Sequence, residues 1–407
     1  MTNPLRTFEE VREALLAAAV PVAGSESVPT AEALGRVLAA DQVSGLNVPP
    51  LDNSHMDGYA VSCAAVPAAG TRLTVGQRIP AGSVGHTLAA GTAARIFTGA
   101  PVPGGADAIV MQELCSVDGD GVVINHLPKP GEWIRRAGED IALGQTVLSA
   151  GVRLNPQMLG LAASVGCATL PVFRRLKVAL FSTGDELVMP GEPLPPGAIY
   201  NSNRYVLRGL LEALGCEVND LGIVPDKLDA TRAALRDAAS RNDLIVTSGG
   251  VSMGEEDHIK PAVTAEGRLD SWLVAMKPGK PVAFGRVHAA GGGPGAAFIG
   301  LPGNPVSSFV TFILLVRPFV LRAQGVKDCL PKAIPLTAGF DWPKPDKRRE
   351  FLRVRIGADG LVALFPNQGP GVLTSTVWAD GVVNNPPGQA IAAGDRVQFI
   401  PYSELLS

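Results

Sequence analysis

Between residues 176 and 325, strand-length apolar runs alternate with helix-length amphipathic segments, and this alternation restricts the fold more than any other feature of the chain. "LKVALFSTGDEL" reads as a buried strand followed by a polar loop. "NRYVLRGLLEALG" reads as a helix with Leu207, Leu210, Leu211 and Leu214 on one face and Gly215 as its stop. "CEVNDLGIVPD" is a strand leading to Asp226, and "LDATRAALRDAASR" is a helix. The unbroken apolar run of "DLIVTSGG" predicts a strand covered on both faces. Strands separated by helices join in a parallel sheet. A long helix, "VSSFVTFILLVRPFVLRA", follows the loop "GLPGNP".

The flanking segments have a different texture. "TFEEVREALLAAA" predicts a helix with Phe8, Val11, Leu15 and Leu16 near one face, capped by Thr7 with Glu10 three residues on. "TAEALGRVLAA" predicts a second, shorter helix. From about Val43 to Ala137, short apolar runs such as "RLTVGQRI", "GTAARIFTG" and "ADAIVMQEL" alternate with turn residues, which predicts a small β domain. "REFLRVRI", "LVALFP" and "RVQFIP" predict strands in a last β segment from about Val326 to Ser407. A chain of 407 residues exceeds one ordinary core, so several domains are expected. The net charge of −3 gives no basic excess for nucleic acid. The five cysteines are scattered, with no zinc spacing and no disulfide framework. No signal pattern opens the chain, and the most apolar stretch, Phe309 to Val316, is shorter than the roughly 20 residues of a membrane span. A soluble, cytoplasmic protein with no membrane or nucleic-acid partner is expected.

The chemistry concentrates where the strands end. An open parallel sheet binds ligands at the carboxyl ends of its strands. Three strands end in acids here: Asp185 and Glu186 after "VALFSTG", Asp226 after "GIVP", and Asp257 after "TSGGVSMGEE". Carboxylates sharing one rim repel unless a cation or proton offsets them. Mg²⁺ accepts carboxylates and phosphate oxygens together, so Mg²⁺ with a phosphorylated ligand answers the pattern, with Glu186, Asp226 and Asp257 as metal ligands. Ser248-Gly249-Gly250, and Gly184 in "TGDE", let backbone N–H groups approach an anion. The same glycines also suit a plain tight turn, with Glu255, Glu256 and Asp257 capping a helix. "MKPGKP" places Lys277 and Lys280 on a stiff turn that suits an oxyanion, or simply solvated lysines. "LPGNPVSS", with Pro302 and Pro305, sets a rigid turn and free N–H groups at a helix start. The arginines of "DKRREFLR", Arg348, Arg349 and Arg353, read as an exposed, charged strand end. Asp57 in "LDNSHMDGYAV" and Thr98 in "FTGAPVP" read, on position alone, as turn chemistry.

Taken in order, "LDNSHMDGYAV", "RIFTGAPVP", "FSTGDEL", "NSNRYVL", "TSGGVSMGEEDHIK", "MKPGKPVAFG" and "GLPGNPVSSF" resemble the MoeA family of molybdopterin molybdenumtransferases, related to the gephyrin E domain. The resemblance covers essentially the whole chain. It implies an α/β plus β fold in an elongated multidomain chain. Its parts would be an N-terminal helix (1–21) packed on the α/β domain, a linker domain (22–42 and 139–166), a small β domain (43–138), a molybdopterin-binding-like parallel α/β domain (167–325) and a C-terminal β-barrel-like domain (326–407). It implies insertion of molybdenum from molybdate into adenylylated molybdopterin, with Mg²⁺-dependent release of AMP. Active-site acids of the family match Asp57, Glu186, Asp226 and Asp257, and its active-site threonine matches Thr98. Ser252, Lys277, Lys280 and Ser307 match substrate positions, as do Arg348 and Ser375 in the last domain. A homodimer with composite sites is also implied. His55, Leu273, Pro370 and Trp378 depart from the common family residues. The alternatives are a scaffold or adaptor of the same fold, and a paralogue that uses tungstate.

Overall fold

The computed structural model describes residues 5–251, 258–289, 293 and 295–406. Its centre is a seven-stranded sheet in the order Leu5–Arg6, Gly267–Val274, Pro281–Val287, Ala296–Leu301, Leu244–Ser248, Lys177–Thr183, Glu217–Val224. The last four strands run parallel. Pro281–Val287 runs against both of its neighbours, so the sheet is mixed where the sequence predicts parallel. The reason lies in the connection: residues 275–280 join Gly267–Val274 to Pro281–Val287, and so short a link can join only antiparallel strands.

Alternate residues of the central strands serve two separate cores. Val178, Leu180, Leu244, Val246 and Ile299 pack on one face, and Ala179, Phe181, Ile245 and Phe298 on the other. That is why the run of Leu244–Ser248 shows no polar alternation. The helix Phe8–Ala18 carries the expected capping box: Glu10 N–H donates to Thr7 Oγ1 at 3.2 Å, and Thr7 N–H donates to Glu10 Oε2 at 2.8 Å. It buries Phe8, Val11 and Leu15 in the first core. The continuous helix Pro305–Ala323 is 19 residues long and apolar enough to cross a membrane, but it is 94% buried inside the fold and forms a core helix. A π-helical stretch, Phe312–Val316, interrupts it just before Pro318. Proline has no N–H for the regular ladder and clashes with the preceding turn, and the widened stretch accommodates it.

The segment "TAEALGRVLAA" does not form the predicted helix. Only a 3₁₀ turn, Thr30–Glu32, appears. Gly35 sits at φ +72°, and Val37 and Leu38 bridge in extended form to Arg153 and Val172. Pairing with distant strands overrides local helix propensity here. In the same unit Ser25–Pro29 pairs with Thr169–Phe173. The small β domain is a six-stranded sheet in the order Ala108–Met111, Gly58–Val61, Thr92–Ile96, Thr71–Ile79, Gly121–Ile124, Cys115–Asp118.

In the last domain the strands Arg349–Ile356, Gly381–Asn385, Arg396–Pro401 and Ile334–Thr337 pair in that order, with Val362–Leu364 on the free side of Arg349–Ile356. A bridge from Ala338 to Val362 joins the two ends, so the sheet closes into a barrel-like ring. A two-residue strand from the central domain, Met276–Lys277, adds to it beside Arg349 and Glu350. Leu15 is fully buried. Leu15→Ala is expected to cost about 2–5 kcal/mol, and Thr7→Ala about 1 kcal/mol. Both should lower the urea midpoint in that order, and equal midpoints would show that the helix is not docked in solution.

Candidate active site

The carboxyl ends of the four parallel strands open into a cleft of about 1310 Å³, closed on its far side by the last domain. Thr183, Gly184, Glu186, Asp226 and Ser248–Gly250 form the rim wall. Because Leu244–Ser248, Lys177–Thr183 and Glu217–Val224 are neighbours in the sheet, the loops that follow them share one rim, as the sequence predicts. Asp185 is exposed and turned out of the cleft lining. Ser252 and Asp257 lie outside the described residues.

The glycines are sterically required. Gly249 has φ +87°, and a Cβ there would stand 2.7 Å from Thr183 O. Gly250 has φ +65°, and its Cβ would meet Ile259 Cγ1 at 2.5 Å. Glu186 folds its carboxylate over Gly184, where a Cβ would lie 2.5 Å from Oε2. Beneath this turn Ser182 and Ser248 approach at 3.2 Å between their hydroxyls. The Thr183 hydroxyl is buried with no hydrogen-bond partner among the described residues. Hard oxygen groups therefore crowd the acidic side: two carboxylates and an unpartnered hydroxyl. This donor set suits Mg²⁺ completed by water and phosphate oxygens. Among the described residues no group of three His, Cys, Asp or Glu side chains is pre-assembled as a metal site.

The other end of the rim is basic. Lys277, Lys280, Pro302, Pro305, Ser307 and Arg348 all line it. Gly279, at φ +95°, lies so close to the helix Pro305–Ala323 that a Cβ would stand 2.5 Å from Thr311 Oγ1. Lys277 is not a free cation: its Nζ lies 3.4 Å from Glu350 Oε1 and 3.7 Å from Asp346 Oδ2. Arg348 grips Asp346 with two bonds, Nε to Oδ1 at 3.0 Å and Nη2 to Oδ2 at 2.8 Å. That grip holds the Asp346 carboxyl far below the usual carboxylate range. Lys280 is exposed and has no ion pair among the described residues.

The last domain supplies Gln368, Gly369, Pro370, Gly371 and Leu373. Arg353 fixes this loop from behind. It is 1% exposed, so the expected exposed strand end is corrected: this guanidinium is buried on the Phe351 face of its strand, opposite Leu352 and Val354 of the barrel core. Its Nη2 donates to Gly369 O at 3.3 Å and its Nε to Ser375 Oγ at 3.2 Å. Ser375 is itself fully buried and does not line the cleft. Val306 N–H, in the first turn of the long helix, donates to Pro370 O at 3.0 Å. Sequence reasoning missed Thr183, Asn201, Asn203 and this loop as cleft residues. The pattern "NSN" before a predicted helix was a capping signal that could have marked the first of the two asparagines.

Asp57 and Thr98 meet each other but not the cleft of their own chain. Thr98 donates to Asp57 Oδ1 from both N–H and Oγ1, each at 2.8 Å. Arg95 anchors the turn by donating to Gly58 O at 2.9 Å, its guanidinium stacked 4.7 Å from the centre of the Phe97 ring.

The architecture is that of a molybdopterin-binding type of α/β domain set between two β-rich regions. Residues 6–166 match the MoeA N-terminal region (domain I and II), 179–322 the probable molybdopterin binding domain, and 335–402 the MoeA C-terminal region (domain IV). A molybdopterin molybdenumtransferase of Haemophilus influenzae is 42% identical, covering 98% of this chain and 99% of its own. Molybdopterin molybdenumtransferase 2 of Mycobacterium tuberculosis is 39% identical over 91% of this chain and 94% of its own. The crystal structure of a molybdopterin biosynthesis moeA protein from Pyrococcus horikoshii superposes with a TM-score of 0.85 at 28% identity, covering 98% of this chain and 100% of that one. The chain belongs to the MoeA family of molybdopterin molybdenumtransferases.

The Thr98 contacts hold the Asp57 carboxyl below its ordinary value, first through the Thr98 N–H and then through its hydroxyl. With a depressed value, Asp57 is ionised throughout the neutral range, and the contact is lost only as pH falls through that value. Thr98→Val removes the hydroxyl and keeps the N–H. The NMR titration of the Asp57 carboxyl should then move upward while staying below that of a free aspartate; an unmoved titration would show that the hydroxyl bond is absent in solution.

Proposed function

We propose that the cleft inserts molybdenum from molybdate into adenylylated molybdopterin and releases AMP. The carrying observation is that one cleft is lined by acids and a glycine turn at one end of its rim and, at the other, by Lys280, which has no ion pair among the described residues, beside a helix start. The names of the relatives, transferases acting on molybdopterin, support the same chemistry.

Glu186 and Asp226, with Asp257, would hold Mg²⁺ beside the Thr183 hydroxyl. The bound ion would neutralise charge on the phosphoanhydride as AMP departs. The amides of Gly184 and Gly250, with Ser248 beside them and Ser252 nearby in sequence, cradle the phosphates and keep them in line for cleavage, while the Gly249 N–H is given to Leu301 O at 3.1 Å. Molybdate is a tetrahedral dianion and is held on the basic wall. Lys280 supplies the uncompensated charge, while Ser307 and the turn between Pro302 and Pro305 contribute hydroxyl and amide donors. Lys277 and Arg348 share their charge with Asp346 and Glu350, and thereby orient the wall as well as bind. Ser375 acts from behind through Arg353.

Asp57 and Thr98 form a polar pair on the surface of the β domain, away from their own cleft. In a two-fold dimer this pair closes over the partner's cleft, adding a carboxylate and excluding water from the anhydride.

Two measurements test the proposal. Glu186→Gln should reduce AMP release by about 10²-fold or more with an unchanged fold, and wild-type release would refute the acidic-rim role. Inactive Asp57→Ala and inactive Asp226→Ala chains, mixed and reassembled, should regain activity, because each heterodimer then contains one undamaged site. Confirmed subunit exchange with no recovery would refute the shared site.

A further inference from the structure

The geometry points to a phosphate-ester subsite at the amino end of the helix Ser202–Ala213, with Asn201 as its side-chain donor. This inference rests on the reading of the cleft as a site for a phosphorylated ligand, and adds to it a wall that the acids and lysines do not include.

The helix has 12 residues, and its cap and first turn face the cleft: Tyr200, Asn201, Ser202 and Asn203 all line it. The first N–H groups of a helix have no partner within the helix, and they favour an anion. Asn201 provides the independent observation. Its side chain is 2% exposed. Its Oδ1 accepts from Arg204 N–H at 3.2 Å and caps the helix, which fixes which end of the amide is oxygen. Its backbone N–H donates to Val188 O at 2.9 Å. Its Nδ2 is buried and has no hydrogen-bond partner among the described residues. A buried amide nitrogen at the wall of a ligand cleft calls for an acceptor, and a ligand in the cleft is placed to supply it.

The surroundings select the kind of acceptor. The basic side chains of this helix are already engaged: Arg204 Nε reaches both Asp220 oxygens at 2.8 Å, and Arg208 Nε reaches Glu212 at 2.8 Å. The donors left for a ligand at this helix end are neutral N–H groups, the kind that take phosphate at helix starts. Asn203 Nδ2 donates to Gly303 O at 2.8 Å, which ties this helix end to the turn before the long helix. Ile199 and Tyr200 stand 56% and 44% exposed at the same mouth. They offer an apolar surface to the organic part of a phosphate monoester, and a bare oxyanion has no use for it.

Asn201→Asp tests this with the cap intact. Aspartate keeps the oxygen that accepts from Arg204 N–H and replaces the donor nitrogen with a charged acceptor. Asn201→Ser keeps a capping oxygen and lacks the donor. The full chain is titrated separately with AMP and with molybdopterin, and thermal midpoints are recorded. Asn201→Asp is expected to weaken one ester by about tenfold or more, with Asn201→Ser in the same direction and thermal midpoints near wild type. The ester that weakens identifies whose phosphate occupies the subsite. If both variants bind both esters as the wild type does, the subsite is wrong and the reading of the cleft stands. If the wild type binds neither ester, both are wrong.

Discussion

The arrangement of the site depends on a two-residue pairing. Met276 and Lys277, from the central domain, form a parallel strand beside Arg349 and Glu350 of the last domain. This pairing brings the last domain against the central sheet, where it closes the far side of the cleft. Neighbouring contacts reinforce it: Arg349 bonds Glu9 at 2.7 Å, the Phe8 and Phe351 rings lie 5.1 Å apart, and Pro370 O takes an N–H from the first turn of the long core helix. Arg353 is part of the same construction. Burial pushes its guanidinium down to about 10, and its bonds go to neutral oxygens. A buried charge with only neutral partners is costly. Here it rigidifies the loop that faces the basic wall.

Electrostatics then divides the cleft. The acidic rim sets Glu186 and Asp226 in one lining with the Thr183 hydroxyl and the Asn201 side-chain nitrogen, both unpartnered among the described residues, and suits a cation and phosphates. On the basic wall the charges are mostly internal pairs, because Glu350 and Asp346 take up Lys277 and Arg348. Among the described residues of this wall, Lys280 therefore stands as the cation with charge to spare. The two lysines of "MKPGKP", equivalent in the sequence, have different tasks in the structure: one joins the domains and the other faces the ligand.

Much of this was readable in advance because it is local and periodic. The strand runs, their terminal acids, the glycines and the capped first helix each follow from spacing within about a dozen residues. The parts that were not readable depend on distant partners. Glu350 lies 73 residues from Lys277. The buried position of Arg353 follows from the register of its strand, which fixes the face each side chain takes. The failure of "TAEALGRVLAA" as a helix follows from pairing with Arg153 and Val172. The unpartnered nitrogen of Asn201 is visible only once the cap bond shows which way the amide points.

The central claim is that one cleft holds the phosphorylated ligand and the oxyanion together, at different ends of its rim. A crystal structure of the protein with AMP and tungstate tests it most directly, since tungsten is located by anomalous scattering independently of the phosphate. The account predicts tungsten beside Lys280 and Ser307, and the AMP phosphate in the same cleft on the wall formed by Gly249, Gly250 and Asn201. Tungsten and AMP in separate places on the molecule, or tungsten on the acidic rim, would contradict it.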